Sequence, residues 1–203
     1  MFNKSALNAD EKNAATSAVF WRGRKQTHSG FMPKINSTHL LVISKARKDK
    51  LDNLAFGASL VASTGYDVKE IRIKAALDRF EFARKILQSA EAIPISKLQM
   101  SRTKISRAYY SMYHALRAVT FFVTGGDDHE EHTVLPGKLP NDFPDRAIWE
   151  NCLKTARLER NRADYDPYPK ADKQFVAFSK QVVEEARALM PIVRQYLKSK
   201  GCS

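Results

Sequence analysis

SRTKISRAYYSMYHALRAVTFFV, residues 101–123, decides how this chain reads. Ile105, Tyr109, Met112, Leu116 and Val119 recur at steps of three and four, so they share one face of a helix. Upstream, Asp67-Val68-Lys69-Glu70 carries an N-cap carboxylate with an acid three residues later, the start signal of a capping box. Behind it Ile73, Leu77, Phe80, Ala83 and Leu87 form the apolar face of a preceding helix that stops before Pro94. Downstream, Thr124-Gly125-Gly126-Asp127-Asp128 ends the central helix, and Pro136, Gly137, Pro140 and Pro144 predict an irregular stretch. A third helix is expected from near Asp145, with Ile148, Cys152 and Ala156 or Leu158 inward, ending before Pro167 because proline lacks the amide the ladder needs. A fourth spans about Lys173 to Ser199, with Phe175, Phe178, Val182, Leu189, Val193 and Tyr196 or Leu197 in register and a kink expected at Pro191.

Four amphipathic helices joined by turns, with no alternating strand pattern, predict an all-α fold: an up-and-down helical bundle over residues 68–203. Residues 1–67 read as an N-terminal extension, partly helical. Leu51, Leu54, Ala58 and Val61 support one helix over about 38–63, and Ala6 to Trp21 a weaker one. The basic, aperiodic run Arg22–Gly30 between them predicts a mobile connection, and Lys45–Lys50 reads as a solvated helix face.

The 203 residues, 43% of them hydrophobic and 28% charged, suit one domain with an appendage and exclude a chain disordered throughout. No apolar run approaches the roughly 18 to 20 residues a membrane helix needs, and none of signal-peptide length precedes Asp10 and Glu11. Two cysteines, Cys152 and Cys202, make no disulfide framework, which predicts a reducing, cytoplasmic setting. Cys152 reads as a small apolar residue rather than an activated thiolate.

The formal charge is +12 and is spread along the chain: residues 1–67 hold 10 basic and 5 acidic side chains, residues 68–203 hold 24 and 17. A pI near 9.7 points to a polyanionic partner, against the plainer reading of a solvated basic surface. On the central helix Arg107, Tyr110, His114 and Arg117 lie opposite the apolar stripe. Guanidinium forks hold phosphate oxygens and an imidazole moves protons near neutral pH. The competing reading is a half-buried bundle face with snorkelling arginines. Arg157, Arg160, Asn161 and Asp164 form a second polar stripe, flanked by Arg162 and Tyr165, which reads either as a phosphate-binding face or as a salt-bridge network at a helix end. The run Asp127-Asp128-His129-Glu130-Glu131-His132 has the composition of a divalent-cation site, but so compact a run in a Gly-rich loop lacks support for fixed ligands. The expectation is therefore no metal. With no Gly-rich phosphate loop and no nucleophile elbow, no cofactor is expected either.

Arg107-Ala-Tyr-Tyr-Ser-Met-Tyr-His-Ala-Leu-Arg-Ala-Val119 resembles the second helix of HEPN-domain proteins, whose segment reads much like AYYAMFHAARAL. Arg160-Asn-Arg-Ala-Asp-Tyr165 looks like the branch of that superfamily with an RxxADY ending, and the resemblance covers about residues 68–200. It implies a compact bundle that forms a homodimer with its motif arginines facing across a cleft. It also implies RNA or a nucleotide as ligand, and metal-independent RNA cleavage of the kind found in toxin–antitoxin and phage-defence systems, with a nucleotidyltransferase-type antitoxin as protein partner. Other members only bind RNA or assemble. Arg160 and Asn161 match the first two motif positions, but Tyr165–Pro167, where a histidine would follow, holds none. His114 is the candidate substitute, and Arg107, Tyr110, Arg117, Arg157, Arg162, Asp164 and Tyr165 are the candidate nucleic-acid contacts.

Overall fold

The computed structural model describes residues 36–95, 98–167 and 172–202. The weaker helix expected over Ala6–Trp21 and the connection Arg22–Gly30 lie outside the described residues. The described chain is an all-α helical bundle: α1 Ser37–Ser44, α2 Lys48–Thr64, α3 Val68–Ala92, α4 Leu98–Thr124, α5 Arg146–Tyr165 and α6 Asp172–Ser199, with one turn of 3₁₀ helix at Leu135–Lys138. Among the described residues there is no strand, and no helix is long and apolar enough to cross a membrane. Contacts divide the chain between Leu51 and Asp52 into two compact units, each described by itself.

In the first unit the single helix expected over 38–63 is broken. α1 closes at Ser44, whose hydroxyl donates to the Leu41 carbonyl at 3.0 Å, and Lys45–Arg47 leave the helical path before α2 begins. The basic run 45–50 therefore spans a break instead of one continuous helix face.

The second unit is organised around α4, which packs against α3, α5 and α6. Ile105, Ala108, Met112, Ala115, Leu116 and Val119 are fully buried and Tyr109 is almost so, as the three-and-four spacing requires. α3 starts where its capping box predicts: Glu70 N–H donates to Asp67 Oδ1 at 2.7 Å and Asp67 N–H to Glu70 Oε2 at 2.8 Å. On α5 Ala156 is buried as expected, but the first two turns of the inward row lie one residue away from the expected Ile148 and Cys152. Trp149, Leu153, Ala156 and Ala163 are buried, Cys152 is only half-buried, and Ile148 and Leu158 are exposed. Two adjacent apolar rows run along this helix, and the larger ring, Trp149, takes the core. α6 runs through Pro191 as one element.

Two basic residues near the start of α4 close the ends of its neighbours. Lys104, 8% exposed, donates from Nζ to the Ile93 and Glu91 carbonyls at 3.1 and 3.4 Å, at the end of α3. Arg102 donates from Nε to the Ala163 carbonyl at 2.5 Å and from Nη2 to the Asp166 carbonyl at 2.6 Å, at the end of α5. The last carbonyls of a helix have no partner within it and carry the negative end of its dipole, so cations are stabilised there. A buried ammonium is tolerated only when it is bonded in this way.

Candidate functional site

The facing sides of α4 and α5 bring the two polar stripes together. Arg160 lies between them. Its Nη2 donates to Tyr110 Oη at 2.6 Å, its Nη1 to Asn161 Oδ1 at 3.1 Å, and its Nε stands 2.7 Å from Asp164 Oδ2. The guanidinium carbon lies 5.2 Å from the Tyr110 ring centre and 5.5 Å from that of Tyr165. The step of four from Arg160 to Asp164 brings the ion pair onto one helix face. Nη1 and Nη2 each make one hydrogen bond and Nε is ion-paired with Asp164 without a well-aligned hydrogen bond, so one N–H on each of Nη1 and Nη2 is left over for an outside acceptor. Asp164 orients the fork and offsets much of its charge.

A histidine absent from the expected site stands beside this group. The loop after α4 folds back so that His132 Nδ1 and Tyr109 Oη share a hydrogen bond of 2.5 Å. Its ring stacks on Tyr113, with centres 4.1 Å apart, and meets the Tyr110 ring edge-on at 5.8 Å. Burial, followed by the charges of Arg160, Arg157 and Arg117, holds its pKa below the ordinary imidazole value. Arg157 is half-buried and its Nε has no hydrogen-bond partner among the described residues. Burial also raises the Tyr109 and Tyr113 hydroxyls well above the ordinary phenol value, so both stay protonated.

The loop is held by a clamp. Arg79 of α3 donates from Nη1 to both Asp127 oxygens at 3.1 and 3.2 Å, and Arg117 of α4 donates to the same carboxylate from Nε at 2.8 Å and from Nη2. Arg117 Nη2 also reaches Glu130 Oε2 at 2.8 Å, and the Tyr113 hydroxyl donates to the Glu130 carbonyl. Burial alone would raise the Asp127 carboxyl, but the two guanidiniums override it and hold it below the usual value. The sharp exit from α4 needs Gly125, whose φ is +84° and whose absent Cβ would stand 2.7 Å from the Arg72 guanidinium. Among the described residues no group of three or more His, Cys, Asp or Glu side chains is placed to hold a metal. Asp127 is instead consumed by arginines.

The remaining expected site residues are distributed as follows. His114 is half-buried between the ring edges of Phe82 at 4.9 Å and Tyr113 at 5.0 Å. Burial, with Arg117 and Arg79 after it, pushes its pKa down to about 4. Arg160 is not among the charges acting on His114, whereas it is the first of those acting on His132. Arg162 is turned to Glu159, Nη1 to Oε1 at 2.8 Å. Arg107 is exposed, with no ion-pair or hydrogen-bond partner among the described residues. Tyr165 is 71% exposed beneath Arg160. The site thus contains His132, Tyr109, Tyr113 and Asp127 beyond the two stripes. The sequence signal for His132 and Asp127 was the density of carboxylates and imidazoles in residues 127–132, whereas Tyr109 showed only as a member of the apolar stripe.

The arrangement can hold a phosphate oxygen at the spare N–H groups of Arg160 and offers a neutral imidazole, His132, to accept a proton. No family model, no curated protein and no solved structure matches this chain.

Proposed function

We propose that the chain is a HEPN-like, RNA-directed protein that cleaves RNA without a metal ion, acting as a homodimer in the cytoplasm within a toxin–antitoxin or phage-defence type system. A nucleotidyltransferase-type antitoxin is its expected protein partner. The observation that carries this reading is the Arg160 fork stacked on Tyr110, with His132 meeting the same ring from the loop. In the reaction the ribose 2′-oxygen attacks the adjacent phosphorus as its proton passes to His132 Nε2, the nitrogen left free in the tautomer whose Nδ1–H donates to Tyr109 Oη. The bond to the 5′-oxygen breaks, leaving a 2′,3′-cyclic phosphate on one strand and, once that oxygen takes a proton from water, a 5′-hydroxyl on the other. Arg160 and Arg157 offset the charge that builds on the non-bridging oxygens. His132, kept neutral by burial and by three arginines, suits the base.

A second reading, RNA binding without cleavage, rests on one specific observation. Neither His132 nor His114 is protonated near neutral pH, so the leaving oxygen has no matched imidazolium acid. Losing one catalytic proton transfer forfeits roughly 10²- to 10⁴-fold in rate. Wild type and Arg160→Ala, assayed for cleavage of total RNA in EDTA at one fixed salt concentration and for growth arrest on induction, separate the readings. Cleavage and toxicity that both vanish in Arg160→Ala support the nuclease. Salt-sensitive RNA binding with no cleavage by either protein supports the binding module.

A further inference from the structure

Beside Arg160, on the side of Tyr110 away from the loop, α4 and the end of α5 enclose a cleft of ≈ 570 Å³. One wall is a strip of α4 carrying Gln99, Thr103, Ser106 and Arg107 and ending at Tyr110; the other carries Ala163 and Asp164. Gln99 and Tyr110 are eleven helical steps apart, a run of roughly 16 Å. The far wall is fixed, because Arg102 at the floor is bonded to the last carbonyls of α5. The Ser106 hydroxyl points across the cleft toward Asp164 Oδ2 at 3.5 Å, which links the cleft to the Arg160 ion pair.

The cleft's chemistry is uneven along its length. At the Tyr110 end stand a guanidinium without a partner among the described residues, Arg107, and two hydroxyls: that of Tyr110, which accepts from Arg160 and keeps its own proton to donate, and that of Ser106, whose proton can turn to an anion from its long 3.5 Å contact with Asp164. This is a donor set for phosphate oxygens. At the far end Gln99 offers an amide donor and an amide acceptor, and Thr103, whose hydroxyl donates to the Gln99 carbonyl at 3.0 Å, offers its oxygen as an acceptor; such groups pair with the edge of a base. Arg107 is the one charge in the cleft spent on nothing else: Arg102 is bonded to carbonyls and Asp164 faces Arg160.

We infer that this cleft is a nucleotide subsite, in which Arg107 and Ser106 hold the phosphate next to the one at Arg160 and Gln99 and Thr103 face the attached base. The inference rests on the RNA-directed reading above and names what that reading leaves open: the surface that lays the strand across Arg160, with the substrate class a single-stranded ribonucleotide chain. Duplex RNA does not fit, because its bases are turned away from such a groove.

The test uses the full chain. Adenosine 5′-monophosphate is titrated while backbone and glutamine side-chain amides are followed by ¹H–¹⁵N NMR, and a five-nucleotide single-stranded RNA is titrated by fluorescence anisotropy at several salt concentrations. The wild type is compared with Arg107→Ala, Ser106→Leu and Arg160→Ala, each checked for an unchanged melting curve. Expected are shifts confined to residues 99–110 and 163–164 with the monophosphate, about tenfold weaker RNA binding by Arg107→Ala, and a salt slope lower by about one. Inorganic phosphate should reproduce the Ser106 and Arg107 shifts but not that of Gln99. RNA bound equally by wild type, Arg107→Ala and Ser106→Leu but lost in Arg160→Ala would overturn the subsite and leave the RNA reading standing. Monophosphate shifts in the cleft without any RNA affinity would keep the subsite and sink the RNA reading. No shift in the cleft at any monophosphate concentration overturns the subsite.

Discussion

α2 and α4 are both regular helices, but they are held by different forces. α2 has no buried residue in its 17, and Leu54 and Phe56 are 53% and 67% exposed. α4 buries residue after residue over five turns, with its polar groups interleaved among them. The comparison teaches that the same 3.6-residue period serves two ends. In α2 it satisfies the backbone locally, where an isolated helix of this length is marginal in water. In α4 it also positions chemistry, because Tyr109, Tyr110 and Tyr113 are set by the packing of the residues between them.

The largest expected break in this contrast comes from Leu116→Ala, which empties a fully buried position in α4 and should cost about 2 to 5 kcal/mol by chemical denaturation. A loss no larger than that of an exposed site would mean α4 is not the centre of the core. Next comes Asp127→Asn, which weakens the clamp shared by Arg79 and Arg117. About 1 to 2 kcal/mol is expected, the carboxylate being a third exposed, and the His132 ring resonances should lose their upfield stacking shift. Unmoved His132 resonances would show that Tyr109 and Tyr113 hold that ring unaided.

A smaller effect is expected from pH. His114 is pushed down to about 4 against an unfolded value of 6.5, so between those values the unfolded chain binds the extra proton. Stability should therefore fall as pH drops from about 6.5 toward 4, and His114→Gln should flatten that slope in thermal melts. His132 works in the same direction, whereas Asp127, whose pKa lies below its ordinary 3.8, loses its contribution only in more acid solution. A melting temperature that is flat across this window would contradict the burial of both imidazoles. The smallest effect belongs to α2: Leu54→Ala should change stability by no more than about 0.5 kcal/mol.

How much of this was legible depended on the range of the interaction. α3 announced itself through Asp67 and Glu70, and α4 through its apolar steps, because capping and periodicity are written within four residues. The break at Lys45–Arg47 falls in a run with no Gly or Pro to mark it, so composition does not reveal it. The α5 row was misread between Ile148 and Trp149 because both rows are apolar and only the partner helices choose. The Arg160–Asp164 pair was visible as a step of four, but its bond to Tyr110 spans 50 residues. His132 was legible only as part of a chemically rich run, not as a neighbour of Tyr109, which it reaches through a loop anchored at Asp127 and Glu130.

Arg102 and Lys104 tie the ends of α5 and α3 to a single turn of α4. Opening that turn releases both ends at once, so the amides there should exchange with solvent as one cooperative unit rather than fray separately. The wall of the cleft is part of that unit. The shape of the cleft is then kept or lost as a whole, with the opening equilibrium of one helical turn.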